Sequence, residues 1–597
     1  MINHKLILEK IAAIEQSFDV NSVRYKDLLV WPLVRVAIYQ QLCHPEKTFH
    51  RNYFGHKFKY SIQEKEIKSL QAKEDTDILL LSRSNEYEYI KGKYYNQHID
   101  SMIDLIKDEN YSFLKIENNS KQSQSTFPRL EPTIIINPIA IHDEVETIHS
   151  IDNFSALQKV ILEIANIHFD EGLFVNDSRI INLFQALYTE VLSAIKPKVV
   201  FLVCYYYNAA MALIRACKKL DIKTVDIQHG AYGDYHAAYT HWTTIPSEGY
   251  DLLPDFFWCW GRTSTDSIVK WYSCKTHHIP LVGSNLSIAK WTEANDPVID
   301  SNFEMFYDRL LKKKEKVVII AMSYHDTPLP DHVFEAMRCS PPDWLWLIRM
   351  HPTSRTVNEK ERLSNIFRDQ KINNFEIEYA TYCPLYGLLK RCDHVVILWS
   401  SVFYEALAFH VPTTIIDPSG LQYYEDDIKK GILTYADTSD KLLTYIRQGF
   451  SKLHQVNPSD YIETDRQCAK SALQRIFKKE FQSSNHDISN NYEMNNPDST
   501  EYANTMNKLG TDFSNRGFIK AALNCFIQSI ESNPNFTLSY NNLGVLYCHT
   551  GELNKAIKYF VKALEISPHD QRIVSNVIEF LKIVGNIQSH KKMTLLF

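Results

Sequence analysis

The sequence predicts an α/β protein with two Rossmann-like domains that face a cleft, followed by an α-helical segment. Between residues 73 and 240, apolar strand-like runs alternate with stretches that have helical apolar spacing. The same alternation restarts near residue 316 and ends near residue 417. Beyond residue 500, glycine, alanine, phenylalanine and proline positions recur 34 residues apart. The first two observations predict doubly wound sheets, and the third predicts stacked helical hairpins.

Each element has its own signal in the chain. A proline at position 32 predicts a helix start within the aromatic-rich stretch 31–39. Short apolar runs predict strands at 77–82, 111–116, 133–136, 198–204, 222–227, 255–261, 316–322, 344–350, 375–378, 394–398 and 413–417. Helical spacing predicts helices at 96–106, 155–168, 178–195, 208–220, 331–339, 359–370, 385–392 and 402–409.

These elements group into five segments. A turn-rich junction at 282–285 separates the two alternating regions, and 483–500 is rich in Asn and Ser with few apolar residues, as in a linker. The predicted segments are a helical N-terminal region (1–72), a first Rossmann-like domain (73–280), a second one (281–482), the linker (483–500) and the repeats (501–597).

Composition limits the classes of function. Hydrophobic residues make up 45% and charged residues 23% of the 597 residues, as in soluble globular proteins. The net charge of −6 provides no general attraction for nucleic acid. Eleven cysteines without a C-x-x-C pair favour reduced thiols, and no signal peptide or apolar run of membrane-spanning length is visible. We therefore expect a cytoplasmic protein, with peripheral attachment at the inner face of the membrane left open.

Polar residues follow three of the predicted strands at their carboxyl ends. These are Gln228-His229-Gly230, His351-Pro352 and Ser400-Ser401. Ligands of parallel α/β sheets bind beyond the carboxyl ends of the strands. The sequence therefore predicts a site in the cleft between the two domains.

The residue types suit group transfer from a phosphorylated donor. His229 can act as a general base, because an imidazole titrates near neutrality. Ser400 and Ser401 begin a predicted helix, whose free N–H groups suit a phosphate, and Glu405 lies one turn further. The alternatives are that Ser401 is only a helix cap, that Glu405 is a solvated first-turn acid, and that His229 and His351 merely end strands.

The order Gln-His-Gly, His-Pro and Ser-Ser-x-x-x-Glu-Ala over residues 75–450 resembles the GT-B glycosyltransferases. It is most similar to enzymes of bacterial surface polysaccharides: the capsule Kdo and sialic-acid-type transferases and the teichoic-acid glycerophosphotransferases. The resemblance implies a nucleotide-activated donor on the second domain, with His351, Ser400 and Ser401 at its phosphates and Glu405 at its ribose. His229 is then catalytic or supports the reacting centre.

Other candidates flank these residues. Asp226 and Asp234 are secondary catalytic candidates, although the acidic motif of bacterial sialyltransferases is absent from the first domain, which disfavours a CMP-sialic-acid donor. Arg349 alternates with His351 and would add positive charge at the donor phosphates, as would Arg355. Gln228 and Arg83 are candidates for the acceptor side, and for Arg83 a solvated charged loop is the alternative.

No resident metal or cofactor is expected. The spacing of His229, His236 and His241 fits no usual ligand pattern, so we predict a metal-independent enzyme. No Gly-x-Gly-x-x-Gly or Walker loop is present where a dehydrogenase or an ATPase would need one. The nucleotide sugar enters as the donor substrate.

The 34-residue period resembles that of tetratricopeptide repeats. The recurring pairs are Gly510 and Gly544, Gly517 and Gly551, Ala522 and Ala556, Phe526 and Phe560, and Pro534 and Pro568. Asn507 and Asn541 occupy equivalent positions, where side-chain amides would bind an extended peptide; generic surface asparagines are the alternative.

We expect a glycosyltransferase that moves a sugar from a nucleotide donor, with CMP-linked donors among the candidates, to a surface glycan or a protein acceptor. The repeats would recruit a partner protein, such as a flagellin acceptor, or mediate self-association. The alternatives are a CDP-glycerol-type glycerophosphotransferase and a non-catalytic repeat scaffold.

Overall fold

The structure is a computed structural model. It describes residues 3–45, 58–61, 76–83, 87–90, 93–118, 128–136, 139–142, 149–269, 277–292, 305–323, 329–449, 457–478, 499–515 and 519–594. The chain divides into two compact units, Met1–Lys478 and Lys479–Phe597. Most of the predicted linker therefore lies outside the described residues, as does Gly517.

The first half of the larger unit is built on a seven-stranded parallel sheet. The strands of this half are β1 (Arg24–Tyr25), β2 (Leu28–Leu29), β3 (Phe58–Ser61), β4 (Ile78–Ser82), β5 (Tyr87–Ile90), β6 (Lys93–Asn96), β7 (Phe113–Asn118), β8 (Ile134–Ile136), β9 (Ile139–His142), β10 (Val199–Val203), β11 (Lys223–Ile227), β12 (Phe256–Cys259) and β13 (Ile279–Val282). The sheet order is β13-β12-β11-β10-β4-β7-β8. The chain winds outward in both directions from the β4–β10 pair, so the point where the strand order reverses lies between these two strands.

Helices cover this sheet. They are α1 (His4–Ser17), α2 (Trp31–Cys43), α3 (Met102–Asp108), α4 (Phe154–Ala165), α5 (Glu171–Ile195), α6 (Asn208–Lys219) and α7 (Arg262–Val269). The next helix, α8 (Leu286–Thr292), buries Ile288 and Trp291 in one core with Val317 and Ile319 of the second half instead. Ile7, Ile11 and Ile14 recur at helical spacing on α1 and are buried in one core with Leu202 and Phe257 of the sheet. The N-terminal helical region is thus part of the core of the first domain.

The second half contains a six-stranded parallel sheet. Its strands are β14 (Lys316–Ala321), β15 (Trp344–Arg349), β16 (Phe375–Glu376), β17 (His394–Ile397), β18 (Thr413–Ile415) and β19 (Thr434–Tyr435), in the order β16-β15-β14-β17-β18-β19. Its helices are α9 (Asp331–Cys339), α10 (Val357–Asp369), α11 (Glu378–Tyr382), α12 (Leu385–Leu389), α13 (Val402–Ala408), α14 (Pro418–Tyr423), α15 (Glu425–Lys429) and α16 (Ser439–Gln448). The strand order reverses between β14 and β17, which places Ser400 and Ser401 beside the reversal.

The last helix of the larger unit packs on the first sheet. This helix, α17 (Arg466–Phe477), follows the second sheet in the chain. The ring of its Phe477 stacks on Tyr111 with 4.1 Å between centroids, and Lys223 Nζ donates to the carbonyl of Ile476 at 2.5 Å. The segment 281–482, predicted as the second domain, therefore contains a helix that belongs to the packing of the first. Strand β13 is likewise an edge strand of the first sheet where the sequence predicts only a junction.

The smaller unit consists of helices α18 (Ser499–Asn515), α19 (Ile519–Ser532), α20 (Thr537–His549), α21 (Leu553–Ile566) and α22 (Gln571–Thr594). A side chain at Gly510 would place its Cβ 2.6 Å from the Phe526 ring, and one at Gly544 would meet Phe560 at 2.7 Å. The repeated Gly–Phe pairs therefore let two helices of each hairpin cross closely. None of the helices within the described ranges is long and apolar enough to span a bilayer.

Candidate functional site

A tight polar turn follows β11 at the carboxyl edge of the first sheet. Gln228 is buried beneath it, and its Oε1 accepts the backbone N–H of Trp260 at 2.7 Å. Its Nε2 donates to the carbonyl of Gly230 at 2.8 Å and to Ser264 Oγ at 3.0 Å. The Gln228 amide, predicted for the acceptor side, therefore holds the shape of the turn that presents His229.

His229 is half-buried and lies against an aromatic wall. Its Nε2 is 3.4 Å from the hydroxyl of Tyr206, and its Nδ1 is buried. Burial lowers the pKa of His229 well below the ordinary value of 6.5, and the nearby His98, His236 and Arg83 lower it further. The imidazole is thus neutral at neutral pH and carries one basic nitrogen.

Three cationic or titratable groups gather at the strand-order reversal of the first sheet. The guanidinium of Arg83, which follows β4, lies 4.5 Å from the ring centroid of Tyr207, which follows β10. His98 is buried and stacks on Trp260 with 6.5 Å between centroids, and burial lowers its pKa to about 4. Arg83 and His98 both influence His229 electrostatically. The structure therefore brings Arg83 into the same cluster as His229.

The two aspartates that flank His229 lie apart from this cluster. Asp226 is fully buried within β11, and its Oδ2 accepts hydrogen bonds from the hydroxyls of Tyr232 at 3.0 Å and Tyr239 at 2.9 Å. Asp234 is half-buried and contributes to raising the pKa of Tyr423 in the second domain. Asp226 is thereby enclosed beneath the turn, whereas Asp234 faces the opposite domain.

Ser400 and Ser401 meet the His229 turn across the cleft. A methyl group at Gly230 would lie 3.8 Å from Ser401 Oγ. Ser401 precedes α13, but its side chain makes no capping hydrogen bond; instead, Ser400 Oγ accepts the N–H of Val402 at 3.3 Å. The alternative that Ser401 serves only as a helix cap does not hold, and its hydroxyl is open to a ligand.

Glu405 lies one turn along α13 and is buried. Its Oε1 accepts a hydrogen bond from the hydroxyl of Tyr386 at 3.0 Å, and burial raises its pKa to about 7 although Arg349 opposes the shift. The alternative of a solvated first-turn acid is therefore wrong. Its second oxygen and its position on the face of Ser401 still suit a ribose hydroxyl.

Arg349 is engaged by the protein itself. Its Nη1 donates to the carbonyls of Ala380 and Cys383 at 2.7 Å each, and its Nη2 lies 3.4 Å from Glu88 Oε1. Arg349 is the last residue of β15, two residues before His351, and it is only 7% exposed. Through these buried contacts the Arg349 guanidinium links the two domains. The sequence predicts instead that Arg349 contacts the donor phosphates.

Arg355 lies beside this ion pair with an unused donor. His351 is half-buried and leads through the short helical turn Pro352–Ser354 to Arg355. The Nε of Arg355 is buried and has no hydrogen-bond partner within the described part of the chain. Burial lowers the pKa of Arg355, while the Glu88 carboxylate opposes that shift. Arg355 also lowers the pKa of Arg349 electrostatically, so two guanidinium groups lie near Glu88 at this edge.

The asparagines of the smaller unit form a ladder between repeats. Asn507 Oδ1 accepts from Ser539 Oγ at 3.0 Å and from Asn542 Nδ2 at 2.9 Å. Asn541 Oδ1 accepts from Asn576 Nδ2 at 3.1 Å. Asn507 and Asn541 are both buried, so each links one repeat to the next.

Several neighbours of the site escape prediction from the sequence. Tyr206 and His98 carry no motif, and Glu88 belongs to the β5–β6 hairpin, which the sequence presents as part of a charged loop. For Tyr206 a signal does exist, because 204–207 directly follows β10 at the same sheet edge as His229.

Within the described residues, no group of three or more His, Cys, Asp or Glu side chains is arranged to hold a metal.

Comparisons with known proteins add the following. No curated protein matches the chain. Among solved structures, S. aureus MnaA with UDP is 14% identical, covers 67% of this chain and 96% of its own, and has a TM-score of 0.41. A Methanocaldococcus jannaschii UDP-GlcNAc 2-epimerase with UDP-GlcNAc and UDP is 11% identical, with coverages of 67% and 99% and a TM-score of 0.41.

The wall teichoic acid polymerase TagF with CDPG is 12% identical, with coverages of 69% and 92% and a TM-score of 0.37. At these scores the likeness carries no inference about activity, which has to come from the site. In the smaller unit, residues 538–570 match the family model of the tetratricopeptide repeat.

Proposed function

We propose that the larger unit is a metal-independent glycosyltransferase whose nucleotide-activated donor binds between the two parallel sheets. The observation that carries this proposal is the approach of the His229–Gly230 turn to Ser401, with 3.8 Å between the Cβ position of Gly230 and Ser401 Oγ. This approach brings the His229 imidazole, at the edge of the first sheet, close to the Ser401 hydroxyl, at the edge of the second. The resemblance of the strand-end residues to those of GT-B enzymes supports the same assignment.

On the donor side, Arg355 and Ser401 bind the phosphates. A guanidinium with an unused N–H forms charge-assisted hydrogen bonds to phosphate oxygens, which strengthen in a site that excludes water. Ser400 and His351 border the same anion, and Glu405 accepts from a ribose hydroxyl. Arg349 takes no direct part, because the carbonyls of Ala380 and Cys383 occupy both N–H groups of its Nη1 and Glu88 lies beside its Nη2.

On the acceptor side, His229 is the general base. The acceptor O–H bond breaks as its proton passes to His229, and the oxygen forms a bond to the sugar carbon. The bond from that carbon to the donor phosphate breaks, and the departing nucleotide keeps the electron pair beside Arg355. Because the donor is anionic, its arrival raises the pKa of His229 from its depressed resting value, so the base becomes effective once the donor is bound.

The acceptor is a surface glycan or a protein, and the repeats of the smaller unit recruit it or its carrier. The match of 538–570 to the tetratricopeptide repeat supports a protein partner. A CDP-glycerol donor would use the same base and the same anion site.

The test is a donor screen on the full chain with lysate glycans and proteins as acceptors, read by mass spectrometry. The wild type is expected to transfer from one nucleotide donor. His229→Ala is expected to lose at least 100-fold in kcat, as for removal of a general base, with unchanged donor affinity. Transfer by His229→Ala at the wild-type rate would remove His229 from the reaction, and no transfer from any donor by the wild type would end the enzyme proposal.

A further inference from the structure

A tyrosine hydroxyl lies between two histidines at the first sheet edge. The hydroxyl oxygen of Tyr206 is 3.4 Å from Nε2 of His229 and 3.4 Å from Nε2 of His236. A single hydroxyl offers one proton and accepts others, so it can donate to only one of these nitrogens. The protonation of the two rings is therefore coupled through Tyr206.

The three side chains form a hydrogen-bond chain, His236–Tyr206–His229, and a backbone amide contacts its His236 end. The N–H of Ala238 donates to Nδ1 of His236 at 3.3 Å. A neutral imidazole has one donor and one acceptor nitrogen, so His236 carries its proton on Nε2. Burial lowers the pKa of His236 to about 4, which keeps the ring neutral. Its Nε2–H then donates to the Tyr206 oxygen.

We infer that Tyr206 and His236 are positioning residues that fix His229 in one tautomer, with the proton on Nδ1 and the basic lone pair on Nε2. The Tyr206 oxygen also has a hydrogen bond with the Cys204 thiol, a weak donor. With His236 and Cys204 both donating to it, the oxygen directs its own proton to Nε2 of His229. The Nδ1 atom of His229 is buried, so Nε2 is the nitrogen left for chemistry. Its single lone pair holds the long Tyr206 hydrogen bond of 3.4 Å at rest, and the acceptor hydroxyl replaces Tyr206 there when it binds. The chain runs from the Ala238 amide through His236 and Tyr206 to His229.

The surroundings of the three rings favour this arrangement. Burial raises the pKa of Tyr206 well above 10, and the Cys204 thiol and Asp226 raise it further, so the hydroxyl keeps its proton. Arg83 and His98 disfavour a charged His229, and Arg35 and His4 disfavour a charged His236. All members of the hydrogen-bond chain are thus neutral. The Ile227 carbonyl is a further partner of the His229 ring, and because a carbonyl only accepts, it favours a proton on the ring nitrogen that faces it.

The direct test is nitrogen NMR of the full chain labelled with 15N-histidine, which distinguishes protonated from unprotonated ring nitrogens. In the wild type, His229 is expected to show a protonated Nδ1 and an unprotonated Nε2, and His236 the reverse. Tyr206→Phe removes the hydroxyl and keeps the ring, and it is expected to give His229 a mixture of tautomers. Tyr461→Phe is the matched control, because the Tyr461 hydroxyl bonds Asp427 Oδ1 and no member of the hydrogen-bond chain.

A protonated Nε2 on wild-type His229 would overturn the inference, and this result needs no variant to fold. A His229 tautomer unchanged in Tyr206→Phe would overturn it as well. The kinetic consequence rests on the proposed function: Tyr206→Phe should lower kcat about tenfold, as for partial loss of a general base, while the KM of the donor stays unchanged. Because the spectra require no turnover, failure of the tautomer assignment and failure of the proposed activity give separate results.

Discussion

Glu88 and Arg349 join the two sheet domains through an ion pair, with 3.4 Å between Glu88 Oε1 and Arg349 Nη2. The hairpin that carries Glu88 extends from the first sheet, and Arg349 ends β15 of the second. Glu88 Oε1 also lies 3.4 Å from the N–H of Leu385. The pair therefore ties the β5–β6 hairpin to the end of β15 and, through Leu385, to the start of α12.

Removal of Arg349 should destabilise the protein. Arg349→Ala leaves Glu88 and two carbonyls buried without their donor, and loss of one partner of a buried pair costs roughly 3–5 kcal/mol. The free energy of unfolding, measured by urea denaturation, should fall by that amount. Arg355→Ala is the matched control. Its free energy of unfolding should fall by less than about 1 kcal/mol, because the Nε of Arg355 has no hydrogen-bond partner that the substitution would leave unsatisfied. Equal stability of the two variants would contradict the assignment of Arg349 to the domain link.

Gly230 should tolerate a methyl group but not a large side chain. The nearest atom to a Cβ at Gly230 is Ser401 Oγ at 3.8 Å, an ordinary van der Waals contact. Gly230→Ala should therefore keep donor affinity within about twofold, whereas Gly230→Leu should fill the space beside Ser401 and weaken donor binding at least tenfold. Calorimetric titration of both variants decides the point. Donor binding unaffected by leucine would place the donor elsewhere.

The buried histidines should make the protein sensitive to acid. Burial lowers the pKa of His98 and of His236 to about 4. Between pH 6.5 and 4 the unfolded chain binds protons that the folded protein does not, so the free energy of unfolding falls as the pH falls through this window. Each group contributes on the order of 3 kcal/mol. Urea denaturation of His98→Gln should show a shallower fall over this range, and a slope identical to that of the wild type would refute the contribution.

Glu405 should have the opposite effect. Its pKa is raised to about 7 by burial, so between pH 4.5 and 7 the folded protein binds a proton that the unfolded chain releases. Its contribution makes the free energy of unfolding fall as the pH rises through that window, by roughly 3 kcal/mol in total. Glu405→Gln retains an acceptor for the Tyr386 hydroxyl and should remove this part of the pH dependence. An unchanged profile between pH 5 and 7 would argue against a buried, titrating Glu405.

The sheets were predictable because their strands are buried on both faces and are nearly continuous in apolar residues. The predicted strand 316–322 corresponds to Lys316–Ala321, and the predicted helix 331–339 to Asp331–Cys339. The β5–β6 hairpin was not predicted, because the sequence Lys91-Gly92-Lys93 has the pattern of a solvated charged loop. Strand β13 is four residues long and next to a turn, which gives too little periodicity to detect.

The site was predictable only as far as strand ends could be located. Strand-end position predicts that His229, Ser401 and Arg83 share one site. The structure brings Gly230, next to His229, close to Ser401, and it places Arg83 near enough to His229 to lower its pKa. The sequence pattern does not distinguish Arg349 from Arg355. Only the tertiary structure shows that Arg349 bonds the carbonyls of Ala380 and Cys383, whereas the Nε of Arg355 has no partner among the described residues. The sequence pattern likewise gives no sign that Gln228 is locked beneath its turn.

The most direct test of the central claim is calorimetric titration of CMP, CDP, UDP and GDP into the wild type and into Arg355→Ala. We predict that at least one nucleotide binds the wild type and that Arg355→Ala weakens that binding ten- to hundredfold, as expected for loss of a charge-assisted contact to phosphate. Ser401→Ala should weaken it by a smaller factor. Binding of no nucleotide, or equal binding by Arg355→Ala, would contradict a donor site in the cleft between the two sheets.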